Sequence, residues 1–185
     1  MKKLLSIALV ALVAISAQAA AISWSSAAIS FDGSTMKNNT SVMGYLIALE
    51  GTSLDESYTL TEGFSASNIG TVIHTDSNGT NKGGKVAGTA DITGYANGDA
   101  FALLLVYTVG KDTYFNLSSS VNVLEGLDPT DPTVAAEEWS DFTINGSTVA
   151  EKGTLKAGAG WTAVPEPASA MLALAGVAML IRRRK

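Results

Sequence analysis

Ala100-Phe101-Ala102-Leu103-Leu104-Leu105-Val106-Tyr107-Thr108-Val109, then Gly110-Lys111-Asp112, then Thr113-Tyr114-Phe115-Asn116-Leu117, is the stretch that decides the fold. The first run is too apolar to lie on an edge. Gly110-Lys111-Asp112 reverses the chain, and Thr113 to Leu117 pairs back, so this hairpin is expected at the centre of the molecule.

Working upstream, Tyr95-Ala96-Asn97-Gly98-Asp99 is a turn. Thr71 to Thr75 reads as a strand that enters the Asn-Gly type turn Asp76 to Gly84, and Lys85 to Ile92 returns from it. Asp55 to Asn68 has no clear apolar stripe and reads as loop with room for a short helix. Ser41 to Leu49 is a long apolar run whose β-branched and aromatic content favours a buried strand. Asn38-Asn39-Thr40 is a turn, and Ala21 to Phe31 alternates through Ile22, Trp24 and, after a phase change, Ile29 and Phe31, before Asp32-Gly33 ends it. Downstream, Val121 to Leu124, Phe142 to Ser147 and Thr154 to Lys156 suit short strands, Asp128 to Pro132 a surface loop, and Ala135 to Glu138 a helical turn. Gly158-Ala159-Gly160-Trp161 leads out of the domain. Many short strands with Gly and Asn turns indicate an all-β antiparallel sandwich over residues 20–161, a jelly-roll-like form being one arrangement open to it. No internal repeat is evident.

Both ends of the chain differ in kind. Met1-Lys2-Lys3, the apolar run Leu4 to Ser16 and the small residues Ala17-Gln18-Ala19 have the order of a secretory signal peptide with an Ala-x-Ala cleavage site. Residues 1–19 are therefore expected to be a signal helix cut after Ala19, although Ala19-Ala20-Ala21 offers a site two residues on. At the other end Val164-Pro165-Glu166-Pro167 precedes 14 uncharged residues, Ala168 to Ile181, and the cluster Arg182-Arg183-Arg184-Lys185. The prolines bring the chain in extended, and a helix can start near Pro167, with Glu166 where the helix dipole favours a negative charge. Four cations directly after an apolar run are how a membrane segment with a cytoplasmic C-terminus stops. As a helix the run rises about 21 Å against a hydrocarbon core of about 30 Å, so it is a short transmembrane helix, helped by residues 162–167 and by snorkelling arginines.

The order Pro-Glu-Pro, short apolar helix and basic cluster at the C-terminus, behind an N-terminal export signal, resembles the PEP-CTERM sorting signal of Gram-negative bacteria. The resemblance covers Val164 to Lys185 and says nothing of the β domain. It implies a sorting signal over residues 162–185, with recognition at Val164, Pro165, Glu166 and Pro167, and a membrane stop at Arg182, Arg183, Arg184 and Lys185. It further implies processing by exosortase, a membrane-embedded cysteine transpeptidase-like enzyme. The partners so implied are the Sec machinery and signal peptidase, exosortase, the inner membrane and extracellular polysaccharide. The localisation so implied is an anchored precursor with its β domain in the periplasm, then the cell surface or extracellular matrix.

Charge agrees with export and argues against other classes. The chain has 12 Lys plus Arg against 17 Asp plus Glu. Without the basic ends and Glu166 the balance is 6 against 16, a net charge of −10. That keeps a domain soluble and offers no basic patch for nucleic acid. There is no cysteine, so the fold must rest on its core and not on disulfides.

Chemistry-bearing residues are sparse. His74 is the single histidine, no Gly-x-Ser-x-Gly elbow accompanies it, and a strand position suits a structural role. One histidine and no cysteine make a zinc site improbable. Asp76 to Asn81 has the oxygen-rich look of a calcium loop but lacks glycine at the sixth place and glutamate at the twelfth, where Ala87 stands. Asp128, Asp131, Glu137 and Glu138 read as a solvated acidic face. Trp24, Trp139 and Trp161, with Tyr45, Tyr95, Tyr107 and Tyr114, are what a sugar-binding face would use, although strand aromatics are mostly core. No catalytic residue, metal or cofactor is expected. Three readings follow. The preferred one is a non-enzymatic exported protein sorted by its tail; the others are a carbohydrate-binding module, which needs an exposed tryptophan, and an envelope hydrolase, which needs paired carboxylates in a cleft.

Overall fold

Alternation sets in where the chain is first described: in β1 (Ala21–Ser26) the side chains of Ile22, Trp24 and Ser26 are buried while Ala21 and Ser23 face out. The computed structural model describes residues 20–79, 83–127, 139–149 and 152–166. Within them the regular elements are strands, apart from one 3-10 turn at Ala66–Asn68. The strands are β2 (Ser30–Phe31), β3 (Ser34–Thr35), β4 (Val42–Ala48), β5 (Tyr58–Thr59), β6 (Thr71–Ser77), β7 (Ala87–Asp91), β8 (Ala100–Val109), β9 (Asp112–Leu117), β10 (Asn122–Val123), β11 (Trp139–Phe142), β12 (Thr154–Leu155) and β13 (Thr162–Ala163). The expected signal helix, the apolar C-terminal helix and the helical turn at 135–138 lie outside the described residues.

The larger sheet has six strands in the order β13-β9-β8-β4-β6, with β10 also on β8. The β8–β9 hairpin holds its expected central place, in register from Leu104 opposite Leu117 to Val109 opposite Asp112. β4 covers the other edge of β8 over seven residue pairs. A strand hydrogen-bonded on both edges and covered on both faces reads as a near-continuous apolar run, and Phe101 to Leu105 are wholly buried. The second sheet is β11-β1-β7.

Alternate residues of the large sheet build two cores, which is why one face cannot be solvated. Leu46, Ala48, Phe101, Leu103 and Leu105 face the small sheet and pack with Ile22, Trp24, Ala90 and Phe142. Ile47, Ala102, Leu104, Phe115 and Leu117 face the other way and lie under Tyr58, Leu60, Ala66 and Leu155, brought over by the loop from β4 and by the β12-β5 pair. The arrangement is sandwich-like, with an extra layer of loop on its outer face.

Three features depart from the sequence reading. First, β6 and β7 do not form a hairpin: β6 pairs with β4, and β7 pairs with β1 in the other sheet. The reason lies beyond the turn. Asn78 is wholly buried, its backbone N–H donates to the Val42 carbonyl at 2.9 Å and its amide to that of Met36 at 2.8 Å, so the end of β6 is tied down and the chain crosses between sheets. Second, the pairing is not wholly antiparallel, since β1 and β11 run parallel, Trp24 opposite Trp139 and Ser26 opposite Phe142. Third, the domain does not end at Trp161. Thr162 and Ala163 form β13, opposite Phe115 and Tyr114.

Candidate functional site

Where the last described strand leaves the fold, the structure brings sequence-nominated residues together. Val164, Pro165 and Glu166 follow directly on β13; Val164 is half-buried and the other two are exposed. The Val164 N–H donates to the Thr113 carbonyl at 3.1 Å, and the Ala163 carbonyl accepts from the Gly153 N–H, also at 3.1 Å. The Gly153 carbonyl in turn accepts from Leu60 at 2.8 Å, joining β13 to the β12-β5 pair. Glu166 lies 3.7 Å from the Lys152 ammonium. Both side chains of that pair are more than half exposed, 54% and 62%, so the contact contributes little alone. Pro167, Arg182, Arg183, Arg184, Lys185, Ala17 and Ala19 lie outside the described residues. Among the described residues no helix is long and apolar enough to cross a membrane.

Beside this exit a groove of roughly 970 Å³ opens on the outer face of the large sheet. Tyr45, Val106 and Phe115 line it from the sheet and Phe64 from the crossing loop, its ring edge-on to Phe115 at 5.1 Å. Val164, Pro165 and Glu166 form part of its lining, together with Lys111 and Asp112 of the β8–β9 turn. The sequence did not suggest this groove, because its residues come from five separate elements and share no motif.

Two of the three tryptophans nominated for sugar contact are enclosed. Trp24 is 2% exposed and Trp161 wholly buried, so neither can lay a ring face on a sugar. Burial of large apolar rings between two sheets outweighs any gain from leaving them in water. The Trp161 indole N–H donates to the Ser30 carbonyl at 2.6 Å, and the ring meets Phe31 and Tyr107 edge-on. Trp139 gives its backbone to β11, and its side chain lies outside the described residues.

His74 is a packing residue. Its ring stands edge-on to Trp24, with centroids 5.5 Å apart, and Nδ1 is buried with no hydrogen-bond partner. It lies over Gly88 so closely that a Cβ there would sit 2.5 Å from His74 Cε1. In the oxygen-rich stretch after His74, Asn78 is spent on Met36 and Asp76 Oδ1 accepts from the Ser77 N–H at 2.7 Å. Among the described residues no group of three His, Asp or Glu side chains is placed to hold a cation. Asp128, Asp131, Glu137 and Glu138 lie outside them.

Comparison with protein-family models, with curated proteins and with solved structures gives no match for this chain.

Proposed function

We propose that this chain is an exported protein of the cell envelope and its exopolysaccharide, delivered by its C-terminal tail, and that the β domain is cargo without catalytic chemistry. The observation that carries the reading is the ordered tail: Pro165-Glu166-Pro167, the uncharged run Ala168 to Ile181 and Arg182 to Lys185, behind an N-terminal export signal. In this reading Sec machinery and signal peptidase release the N-terminus. The apolar run then holds the precursor in the inner membrane with its domain on the periplasmic side, and exosortase recognises the tripeptide and cuts near it.

Two features of the domain support the reading. The Ala20 carbonyl accepts from the Ile92 N–H at 2.8 Å, so a cut after Ala19 leaves the first strand intact, whereas one after Ala21 would remove part of it. Pro165 and Glu166 follow β13 directly and are exposed at the surface.

The test is the intact mass of protein recovered from membrane and medium of a Gram-negative host that carries exosortase. The comparison is a Pro165→Ala/Glu166→Ala/Pro167→Ala variant. A product beginning at Ala20 and ending near Pro167, with the variant retained at full C-terminal length in the membrane, is expected. A wild-type product still carrying Arg182 to Lys185 would make the run a permanent anchor and end the exosortase assignment.

A further inference from the structure

The tail does not hang from the domain by a linker. β13 is gripped on both edges, by β9 through the Val164 N–H and by Gly153 through the Ala163 carbonyl. The Pro165 ring lies on Gly153, where a Cβ would stand 3.0 Å from Pro165 Cγ, and Lys152 faces Glu166. The apolar run begins at Ala168, two residues on from Glu166. At no more than about 3.5 Å per residue, at most roughly 7 Å of chain separates Glu166 from the start of that run.

An enzyme that captures an extended peptide does so through the peptide's main-chain N–H and C=O groups. The Ala163 carbonyl and the Val164 N–H are already used inside the fold. We propose that the folded domain pins the N-terminal end of its own sorting motif, and that exosortase acts on a locally opened state in which residues 162–166 have left β9 while Trp161 stays buried. The inference rests on the sorting reading and adds its control: Thr113, Lys152 and Gly153 are positioning residues for the motif.

Opening is confined by how unevenly the end of the chain is held. β13 is two buried residues long and its flanking ion pair is exposed, so this segment is held by less than Trp161 is. Trp161 is fixed by its ring and by backbone bonds on both sides, its N–H to Ser147 at 2.8 Å and its carbonyl from Val149 at 2.9 Å. Fraying therefore runs back from the tail and stops there.

The test uses the full-length chain in the same host. Ala163 and Tyr114 face each other across β13 and β9, and the chain has no cysteine of its own, so Ala163→Cys/Tyr114→Cys can lock the strand in place. Conversion to the mature mass is expected to slow at least tenfold in the oxidised variant and to return when the bond is reduced. Lys152→Glu, which sets a like charge beside Glu166, is expected to speed conversion about two- to fivefold, the range of an exposed ion pair. Conversion of the oxidised pair at the wild-type rate would overturn the proposal; absence of conversion in the wild type would overturn the sorting reading instead. Should the cysteine variant fail to fold, amide exchange of the wild-type chain decides. Exchange at Val164 at least tenfold slower than an open chain supports the closed motif, and exchange at the open-chain rate overturns it.

Discussion

The indole N–H of Trp161 donates to the backbone carbonyl of Ser30 at 2.6 Å, closing a span of 131 residues. The ring is wholly buried against Phe31 and Tyr107, so truncation removes both packing and a hydrogen-bond donor. Trp161→Ala is expected to cost about 3–5 kcal/mol in urea unfolding. Trp161→Phe is expected to cost about 1–3 kcal/mol, chiefly for leaving the Ser30 carbonyl without its partner. A loss below about 1 kcal/mol for the alanine variant would show that the ring is not a core element.

His74 packs on Gly88 between the two sheets, and the absence of a side chain at position 88 permits it. Gly88→Ala forces the ring or strand to move and is expected to destabilise by about 1–3 kcal/mol, as overpacking does. In a His74→Ala background the same change is expected to cost much less. A double-mutant cycle with coupling under about 0.5 kcal/mol would contradict the contact.

Burial raises the pKa of Tyr58 above its ordinary value of 10.0, opposed by the Asp55 N–H that donates to its hydroxyl at 3.1 Å and reinforced by the Asp55 charge. The fold thus favours the neutral phenol. Its contribution is complete below pH 10 and lost as pH rises through the folded pKa above it. Urea midpoints followed from pH 8 to 12 are expected to fall more steeply in the wild type than in Tyr58→Phe; parallel curves would remove Tyr58 from the alkaline transition.

Position along one strand should separate large effects from small ones. Leu104 is wholly buried and Val109, at the far end of β8, is 44% exposed. Leu104→Ala is expected to cost about 2–5 kcal/mol and Val109→Ala to stay within about 0.5 kcal/mol in the same denaturant series. Equal losses would mean that β8 is not buried at its centre.

What the sequence revealed was what local chemistry decides. The β8–β9 hairpin is legible because an uncharged run, a Gly-Lys turn and a second apolar run all lie within residues 100–117. β4 is legible for the same kind of reason. The β6–β7 connection misleads because Asn78-Gly79 has hairpin chemistry, while Asn78 is claimed by Val42 and Met36, over thirty residues away. β13 was missed because Thr162-Ala163 is too short to alternate and stands next to a motif that draws the eye. Residue type alone marks Trp24 and Trp161 equally as core or as sugar platform, and only the fold shows that both are enclosed. The groove beside Pro165 left no trace, since tertiary structure alone assembles it.

One consequence belongs to β1. The first strand of the domain lies in the middle of its sheet, between β7 and a parallel partner, β11, that begins more than a hundred residues later. Such distant pairing makes folding slow compared with local pairing. A chain that emerges N-terminus first would have its earliest strand waiting for nearly its last. The domain could not close until almost all of it had emerged, so the topology itself acts as a timer that ties closure to the end of the chain.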